Sequence, residues 1–303
     1  MIAIDLGSNT LRVLEYDCRY ARATAEFEKI VKTADKLAST GVIDHEAVDR
    51  VIYAIKKAQA LMDFEGQEVD AVTTEAVRRA ANTEDVLARI YRETGVMFRT
   101  IDGEEEAALT LLAVRHRLKR LSLKSDRFVL VDIGGGSTEM VFVYGSEVIS
   151  HSFPVGIVTI AQTYGTLERI KEALPDEMLA MQQFAAEMFA TRGEVEICVA
   201  TAGTPTTVAA MKLGLTYETY DAKRVNGTIL KEEELSYYLS KLLSLPFSQR
   251  EIMVGVGRSD LIAAGILIFE HLYYILETEQ CIVVDDGLRE GVALRWCQEH
   301  TTK

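Results

Sequence analysis

Two stretches of the chain share a pattern in which a short apolar run ends near an aspartate, turns through glycine, and continues as a second apolar run. The first reads IAIDLGSNTLRVLEY at residues 2–16, and the second reads FVLVDIGGGSTEMVFVY at residues 128–144. Each predicts a strand, a tight turn and another strand. The stretches align position by position, with Asp5 on Asp132, Gly7 on Gly134, Thr10 on Ser137 and Arg12 on Glu139. We therefore expect two related halves, each presenting one hairpin, with a ligand between them.

Between and after these hairpins, helical periodicity alternates with short apolar runs. Strand or loop is expected at 27–37. Strands are expected at 69–73, 96–101, 147–153, 196–200 and 281–284. Helices are expected at 45–60, 75–81, 84–94, 104–118 and 158–164, as one long helix ending near Arg192, and at 231–245, 260–274 and 287–299. Asp44, Thr83 and Asp102 are the expected caps. This alternation predicts βαβ units on a mostly parallel sheet.

The glycine turns have the chemistry of an anion site. Three adjacent glycines let the backbone approach a ligand closely and turn amide N–H groups towards negative charge. Ser137 and Thr138 add hydroxyl donors, and Asp132 can face a metal ion. A strand follows each loop, whereas the dinucleotide fingerprint and the P-loop both require a helix there, so both are excluded. For one copy alone an ordinary β-hairpin is the simpler interpretation.

A third segment, CVATAGTPTT at residues 198–207, predicts a strand followed by a helix whose start is free to bind an anion. Thr204 is the expected cap, with Pro205 at the first helical position. An ordinary strand-to-helix connection explains this segment equally well. Glu104, Glu105 and Glu106 stand in the first turn of another helix, where the macrodipole favours carboxylates. One of them could also orient and deprotonate a water molecule in phosphoryl transfer.

Basic residues supply the remaining candidates. Arg12 and Arg78 would flank the loops and stabilise charge on a phosphoryl group. A basic run consists of Arg115, His116, Arg117, Lys119, Arg120, Lys124 and Arg127. A solvated helix face and linker explain it more simply than a track for an extended polyanion.

Bulk composition limits the classes of protein. A length of 303 residues is typical of two domains. The composition, with 48% hydrophobic and 26% charged residues, is that of an ordinary globular protein. Lys+Arg 33 against Asp+Glu 46 gives a net charge of −13, which argues against nucleic-acid or anionic-membrane partners. The four cysteines lie far apart and suggest neither a disulfide framework nor a zinc site, and the five histidines have no ligand spacing. Without a basic leader or a spanning apolar run, we expect a cytoplasmic protein.

Seven motifs occur in an order that resembles the exopolyphosphatase/guanosine pentaphosphate phosphatase (Ppx/GppA) family. They are DLGSNTLR (5–12), TEAVRRAAN (74–82), IDGEEEA (101–107), DIGGGSTE (132–139), AGTPTT (202–207), GRSDLIAAG (257–265) and DDGLREG (285–291). The resemblance implies an α/β protein with two duplicated ribonuclease H-like domains of the actin-like ATPase superfamily and an interdomain cleft. It implies domains at 1–122, joined by a C-terminal helix at 289–303, and at 123–288. The chain itself has only four prolines and no Gly/Ser-rich linker, and its pattern of elements predicts the boundary between Leu118 and Arg127.

The resemblance also implies roles for residues. Hydrolysis of a terminal phosphoanhydride with Mg²⁺ or another divalent cation would use Glu106 as the base, with Glu105 as the fallback, and Arg12 and Arg78 to neutralise charge. Asp132 and Glu139 would hold the metal, with Asp5 assisting. Phosphates would be bound by Gly7, Ser8, Asn9, Thr10, Gly134, Gly135, Gly136, Ser137, Thr138, Gly203 and Thr204. The expected ligands are polyphosphate or guanosine penta- or tetraphosphate, with neither nucleic acid nor membrane, and a homodimer is the assembly considered.

Three departures and two alternatives accompany this interpretation. Asp102 stands where the family more often has Ser, and Asp286 stands where a small residue is commoner. Longer family members continue into helical C-terminal domains that this sequence lacks, which puts processive action on long chains in doubt. The alternatives are a nucleotide-dependent assembly or regulatory protein and a sugar or acetate kinase. Glu106 argues against the first because a filament needs no water-activating carboxylate, and no acceptor-pocket motif supports the second.

Overall fold

The computed structural model describes residues 1–123 and 126–300. Lys124 of the basic run and the predicted helical residues 301–303 lie outside this range. The chain divides into two compact units. The first contains Met1–Ala113 together with the C-terminal segment from Gly287, and the second is Val114–Asp286.

The first unit is built on one five-stranded sheet with helices on its faces. Its strands are β1 (Ile2–Leu6), β2 (Thr10–Asp17), β3 (Arg22–Ile30), β4 (Val69–Thr73) and β5 (Phe98–Thr100). They lie in the order β3-β2-β1-β4-β5. β1, β4 and β5 are parallel, whereas β2 is antiparallel to both β1 and β3. The helices are α1 (Leu37–Thr40), α2 (His45–Leu61), α3 (Glu75–Arg79), α4 (Thr83–Thr94) and α5 (Gly103–Arg120), whose last residues from Val114 belong to the second unit.

The second unit repeats this plan. Its strands are β6 (Arg127–Ile133), β7 (Thr138–Tyr144), β8 (Glu147–Phe153), β9 (Ile197–Thr201), β10 (Thr228–Lys231) and β11 (Gln280–Val283). They lie in the order β10-β11-β9-β6-β7-β8, so the five strands other than β10 reproduce the order and directions of the first sheet. The predicted duplication is confirmed.

Eight helices of the second unit lie within the described residues. They are α6 (Ile157–Tyr164), α7 (Leu167–Glu177), α8 (Leu179–Arg192), α9 (Gly203–Lys212), α10 (Ala222–Val225), α11 (Glu232–Ser244), α12 (Phe247–Val254) and α13 (Ser259–Ile275). Of the described helices, none alone is long and apolar enough to cross a bilayer. α12 and α13 pass that test only as a pair bent by 67°.

The last helix, α14 (Leu288–His300), belongs to the first unit and packs against β1 and β2. Leu288, Val292 and Leu294 on α14 share an apolar cluster with Ala3 and Leu14 of the sheet. A second cluster, which contains α2, fills the other side of the same sheet. Two separate layers of buried apolar side chains therefore sandwich the first sheet, as expected for a central sheet of an α/β unit.

Several local predictions are wrong. The long helix expected to end near Arg192 is two helices, because the chain breaks at Met178, after Pro175 in the last turn of α7. Thr83 does not cap α4: its hydroxyl donates to the Val77 and Ala80 carbonyls instead. The expected caps Asp44 and Asp102 are confirmed, since each side chain accepts a backbone N–H in the first turn of its helix.

The cysteine prediction is also wrong for one pair. Cys18, just after β2, and Cys297, on α14, form a disulfide within the first unit, with 5.4 Å between their Cα atoms. Their separation of 279 positions in the sequence leaves no spacing signal to detect. Cys198 and Cys281 are free and buried.

Candidate active site

The glycine loop of the second unit joins β6 to β7 and is held in one conformation by its own backbone. The Gly134 N–H donates to the Ser137 carbonyl at 2.9 Å, which closes the turn. A Cβ atom on Gly134 would lie 2.9 Å from that same carbonyl oxygen, so this position needs glycine. The aligned loop of the first unit closes in the same way, since the Gly7 N–H donates to the Thr10 carbonyl at 3.0 Å.

The start of α6 sets the direction of the peptide groups in this loop. The N–H of Ile157 donates to the Gly134 carbonyl at 3.0 Å, and the N–H of Val158 donates to the Gly135 carbonyl at 2.8 Å. In a trans peptide the carbonyl and the following N–H point in opposite directions. The N–H groups of Gly135 and Gly136 are therefore turned away from α6, in the orientation that suits an anion.

Gly156 makes this arrangement possible and was not singled out from the sequence. A Cβ atom there would lie 2.4 Å from the Gly135 carbonyl oxygen and 2.5 Å from the Gly136 carbonyl carbon. No side chain fits in that gap, so the loop can rest directly on the helix start only because residue 156 is glycine. The available signal was the PVG sequence that precedes an apolar helix.

The loop of the first unit is supported by a different segment. The N–H groups of Val31 and Lys32 both donate to the Asn9 carbonyl at 2.9 Å, and the N–H of Ala34 donates to the Ser8 carbonyl at 2.8 Å. These bonds point the Ser8 and Asn9 carbonyls towards the turn after β3. The N–H of Asn9 consequently faces the other way, as the N–H groups of Gly135 and Gly136 do in the second unit.

The hydroxyl groups beside the second loop have separate tasks. Thr138 is fully buried and donates to the Val155 carbonyl at 2.6 Å, so its side chain supports the loop. Ser137 donates to Glu139 Oε1 at 2.7 Å, and Ser152 on β8 donates to the same atom at 2.6 Å. Ser152 was not predicted. Two hydroxyl donors on one carboxylate oxygen fix the orientation of Glu139.

Each hairpin brings its two aligned side chains together. Asp132 is the cross-strand partner of Glu139, and Asp5 is the partner of Arg12. Cross-strand partners project from the same face of a sheet. The second unit therefore places two carboxylates side by side, whereas the first unit places a carboxylate beside a guanidinium.

Arg12 lies in an acidic surrounding within the first unit. Its Nε donates to Glu28 at 3.1 Å, and its Nη1 lies 3.9 Å from Asp5. Burial lowers the pKa of the guanidinium, but the Glu28 and Asp5 carboxylates outweigh burial, so the pKa is raised above its ordinary value. Arg12 is thus fully charged and partly exposed, as a phosphate-binding residue must be.

The parallel strands of the first unit bring three predicted groups to one edge of the sheet. Leu6 at the end of β1 pairs with Thr73 at the end of β4, and Thr73 pairs with Thr100 at the end of β5. The glycine loop follows β1, Arg78 follows β4, and Glu104 to Glu106 follow β5. Neighbouring strands lie about 4.8 Å apart, so the three segments start within roughly 10 Å of one another. Ligand sites of α/β sheets occur at this carboxyl edge.

Arg78 links two of these segments directly. Its Nη1 donates to the Ile101 carbonyl at 2.7 Å, just before α5, and its Nη2 donates to Glu75 on its own helix. The guanidinium is thus held beside the turn from β5 into α5.

The three glutamates of α5 differ sharply in their surroundings. Glu104 is exposed to solvent. Glu105 accepts from Arg99 at 2.6 Å and from Arg295 on α14 at 2.8 Å. Burial raises the pKa of Glu105, but the hydrogen bonds from Arg295 and Arg99 outweigh it and hold the pKa below its ordinary value. Glu105 is therefore committed to an ion-pair network that ties α5 to α14.

Glu106 is half-buried, and its Oε2 atom is shielded from solvent. It lies in the first turn of α5, where the positive end of the helix dipole favours an ionised carboxylate. Glu106 therefore combines partial burial with a side-chain oxygen shielded from solvent, whereas Glu104 is exposed and Glu105 is engaged by Arg99 and Arg295.

The segment around Gly203 differs from its prediction. α9 begins at Gly203 after Ala202, two positions before Pro205, so Thr204 is inside the helix and does not cap it. Thr204 is fully buried, and a Cβ atom on Gly265 of α13 would lie 2.1 Å from its hydroxyl. The Thr204 side chain is thus placed against α13 and is not directed at the start of α9.

The oxygen donors of the second loop fit a hard divalent cation. Mg²⁺ is usually held by one or two carboxylates, with waters and substrate phosphates completing the shell. Asp132 and Glu139 form such a pair, whereas Asp5 lies in the other unit beside Arg12. Among residues 1–123 and 126–300, no three carboxylate, histidine or cysteine side chains are grouped closely enough to hold an ion by themselves.

Part of the basic run has a structural task. Arg117 on α5 donates to both oxygens of Asp286, from Nε at 2.9 Å and from Nη2 at 2.8 Å. Thr201 at the end of β9 donates to the Asp286 carbonyl at 3.1 Å. Asp286, where a small residue is commoner in the family, therefore links Arg117 to the carboxyl edge of the second sheet. Arg115, Lys119 and Arg120 are exposed.

The duplicated sheets, each with a glycine hairpin, define an α/β protein with two ribonuclease H-like units of the actin-like ATPase type. The structure of an exopolyphosphatase from Cytophaga hutchinsonii has the same fold: it is 21% identical, the match covers 98% of this chain and 97% of that chain, and the TM-score is 0.84.

The model of the Ppx/GppA phosphatase family matches residues 21–300, so the chain belongs to this family. Exopolyphosphatase 1 of Mycobacterium tuberculosis is 29% identical over 310 residues, which is 96% of this chain and 86% of the relative. The crystal structure of the Aquifex aeolicus family member is 30% identical, with a TM-score of 0.74, and the match covers 100% of this chain and 98% of that chain. The chain is accordingly a phosphoanhydride hydrolase.

Proposed function

We propose that this protein is an exopolyphosphatase that removes terminal phosphate from inorganic polyphosphate, with Glu106 activating the attacking water. The observation that carries the proposal is the backbone orientation of the loop at Gly134–Gly136, whose carbonyls are tied back to α6 while N–H groups face outward. Such a loop binds phosphate oxygens without reading any base or sugar. The relatives named exopolyphosphatase 1 and exopolyphosphatase 2 support this choice of substrate.

The proposal gives the predicted groups separate tasks. The N–H groups of the two loops bind phosphate oxygens, and Arg12 and Arg78 compensate the charge that develops on the transferred phosphoryl group. Glu106 accepts a proton from water as the water attacks the terminal phosphorus, and the shortened polyphosphate leaves. Glu105 stays in its arginine pair and fixes the first turn of α5.

A divalent cation of the Mg²⁺ type is part of the proposal, held by Asp132 and Glu139. When bound, it neutralises charge on the phosphate oxygens. Ser137 and Ser152 then hold the Glu139 carboxylate in one orientation towards that ion or its waters.

Guanosine pentaphosphate is the second candidate substrate. The family resemblance supports it, and its triphosphate end presents the same terminal phosphoanhydride. The loops would bind this end as they bind polyphosphate, so the two substrates compete for one site.

A substrate panel tests the proposal. Purified protein is given polyphosphate, guanosine pentaphosphate or ATP, and phosphate release is followed with Mg²⁺ or with EDTA. We expect release from polyphosphate that stops in EDTA, with orthophosphate rather than short polyphosphate fragments as the released product. Release from ATP alone, or cleavage inside polyphosphate chains, would contradict the proposal, and cleavage of guanosine pentaphosphate alone would select the second candidate.

A further inference from the structure

The disulfide between Cys18 and Cys297 lies on the helix that supports the proposed catalytic turn. Cys297 is on α14, and the same helix carries Arg295, which pairs with Glu105 next to Glu106. A Cβ atom on Gly291 of α14 would lie 2.0 Å from the Leu109 carbonyl oxygen of α5, so the two helices touch through their backbones. Any displacement of α14 is therefore transmitted to the first turn of α5.

Non-covalent contacts hold the other end of α14. Arg289, in its first turn, donates to Glu26 on β3 at 2.8 Å and to Glu290 at 2.5 Å. The disulfide attaches the third turn to the end of β2. Arg289 thus holds the start of α14 in any redox state, whereas the disulfide adds a covalent tie to the non-covalent contacts of the turn that contains Arg295 and Cys297.

A surface depression opens beside the Cys18 end of this bond. A surface depression of about 550 Å³ is lined by Cys18 together with Met1, Arg19, Trp296 and His300. The two other cysteines are protected: burial raises the pKa of Cys198, and it raises that of Cys281 to about 12. Thiolates are the reactive form, so the free cysteines are inert and the Cys18–Cys297 pair is the one open to exchange.

We propose that the Cys18–Cys297 disulfide is a reversible redox latch that sets hydrolase activity by fixing α14 against α5. A thiolate of a small thiol attacks one sulfur, the bond between Cys18 and Cys297 breaks, and a mixed disulfide forms. A second thiolate then releases the protein, so two cysteine thiols and one small-molecule disulfide are produced. The two electrons come from the thiols, and oxidation by a small-molecule disulfide reverses the reaction. The latch acts on the proposed active site and rests on that function.

The experiment uses the full-length protein equilibrated in glutathione buffers of increasing reducing strength. Alkylation under denaturing conditions, read by mass spectrometry, should find two free thiols in the oxidised protein and four after reduction. Reduction should lower the phosphate-release rate on the order of 10-fold, less than the 10²-fold of a full 1 Å misplacement. It should lower the melting temperature by on the order of 10 °C.

Matched variants separate the latch from general damage. Cys18→Ser and Cys297→Ser should each have the rate of the reduced protein and no response to glutathione, whereas Cys198→Ser should respond like the wild type. Amide hydrogen exchange in the first turn of α5 supplies a readout that needs no turnover and should accelerate on reduction.

Two results would overturn the latch: four free thiols in the folded, oxidised protein, or reduction that leaves both the exchange of α5 and the rate unchanged. If the protein releases no phosphate from any substrate, the proposed function fails. The thiol count and the exchange rates would still decide whether the latch exists.

Discussion

Replacing Gly291 by alanine tests whether the contact between α14 and α5 positions Glu106. The new Cβ atom would lie 2.0 Å from the Leu109 carbonyl oxygen, and Cβ atoms essentially never approach closer than 3.0 Å. The helices must therefore separate by about 1 Å at this crossing. The backbone of residue 291 fixes the position of the Cβ atom and the clashing oxygen belongs to the backbone of Leu109, so no side-chain rotation can relieve the clash.

Two opposing effects set the stability of this variant. Overpacking at a rigid contact costs about 3 kcal/mol, and alanine is a better helix former than glycine by about 1 kcal/mol. The net destabilisation is about 2 kcal/mol, or a melting temperature lower by about 6 °C. The same 1 Å separation displaces the turn that holds Glu106, and a misplacement of that size lowers kcat by about 100-fold.

Val51→Ala is the matched control. Val51 is 1% exposed and belongs to the other apolar cluster of the same unit, on α2. Its truncation should cost about 1–3 kcal/mol and leave kcat within about twofold of the wild type. Thermal unfolding by circular dichroism and phosphate release at saturating polyphosphate measure the two quantities. If Gly291→Ala and Val51→Ala lose the same stability and have the same kcat, the contact between α14 and α5 does not position Glu106.

Three further outcomes follow from individual contacts. Gly156→Ala places a Cβ atom 2.4 Å from the Gly135 carbonyl oxygen, which pushes the glycine loop away from the start of α6. The KM for polyphosphate should therefore rise at least about tenfold. An unchanged KM would show that the loop needs no support from α6. Glu105→Gln should destabilise the protein at pH 7. The folded-state pKa of Glu105 lies below its ordinary value of 4.5. The stability difference between wild type and variant should therefore be present above pH 4.5 and disappear as the pH falls through the folded-state pKa. A stability difference that persists at low pH would show that the ion pair is not its cause. Asp286→Asn should lower the free energy of unfolding in urea by about 1–3 kcal/mol, because it weakens the ion pair with Arg117. An unchanged free energy of unfolding would show that this pair does not stabilise the fold.

The duplicated hairpins could be predicted because their signal is local. Two apolar runs flank a glycine turn in each stretch, so Asp5 could be aligned with Asp132 and Arg12 with Glu139. The structure adds that each hairpin pairs its two aligned residues across its strands. Glycine and β-branched residues carry this information within about ten positions. Helix caps such as Asp44 and Asp102 are local for the same reason.

Features that depend on distant contacts were missed. The Cys18–Cys297 bond, the support of the loop by Gly156, and the ion pair between Arg117 and Asp286 each join elements far apart in the sequence. No periodicity encodes such partners. Which of the three glutamates of α5 forms an ion pair also depends on a distant contact, because Arg295 on α14 engages Glu105. No pattern within α5 can reveal that contact.

The phosphate-release rate of Glu106→Gln, measured beside Glu104→Gln on polyphosphate, tests the central claim most directly. Glu104 is exposed in the same helical turn, so its replacement makes the same chemical change where no catalytic contact is proposed. The account predicts that Glu106→Gln lowers kcat by about 10²–10⁴-fold with KM nearly unchanged, whereas Glu104→Gln keeps the wild-type rate. A wild-type rate in Glu106→Gln would contradict it.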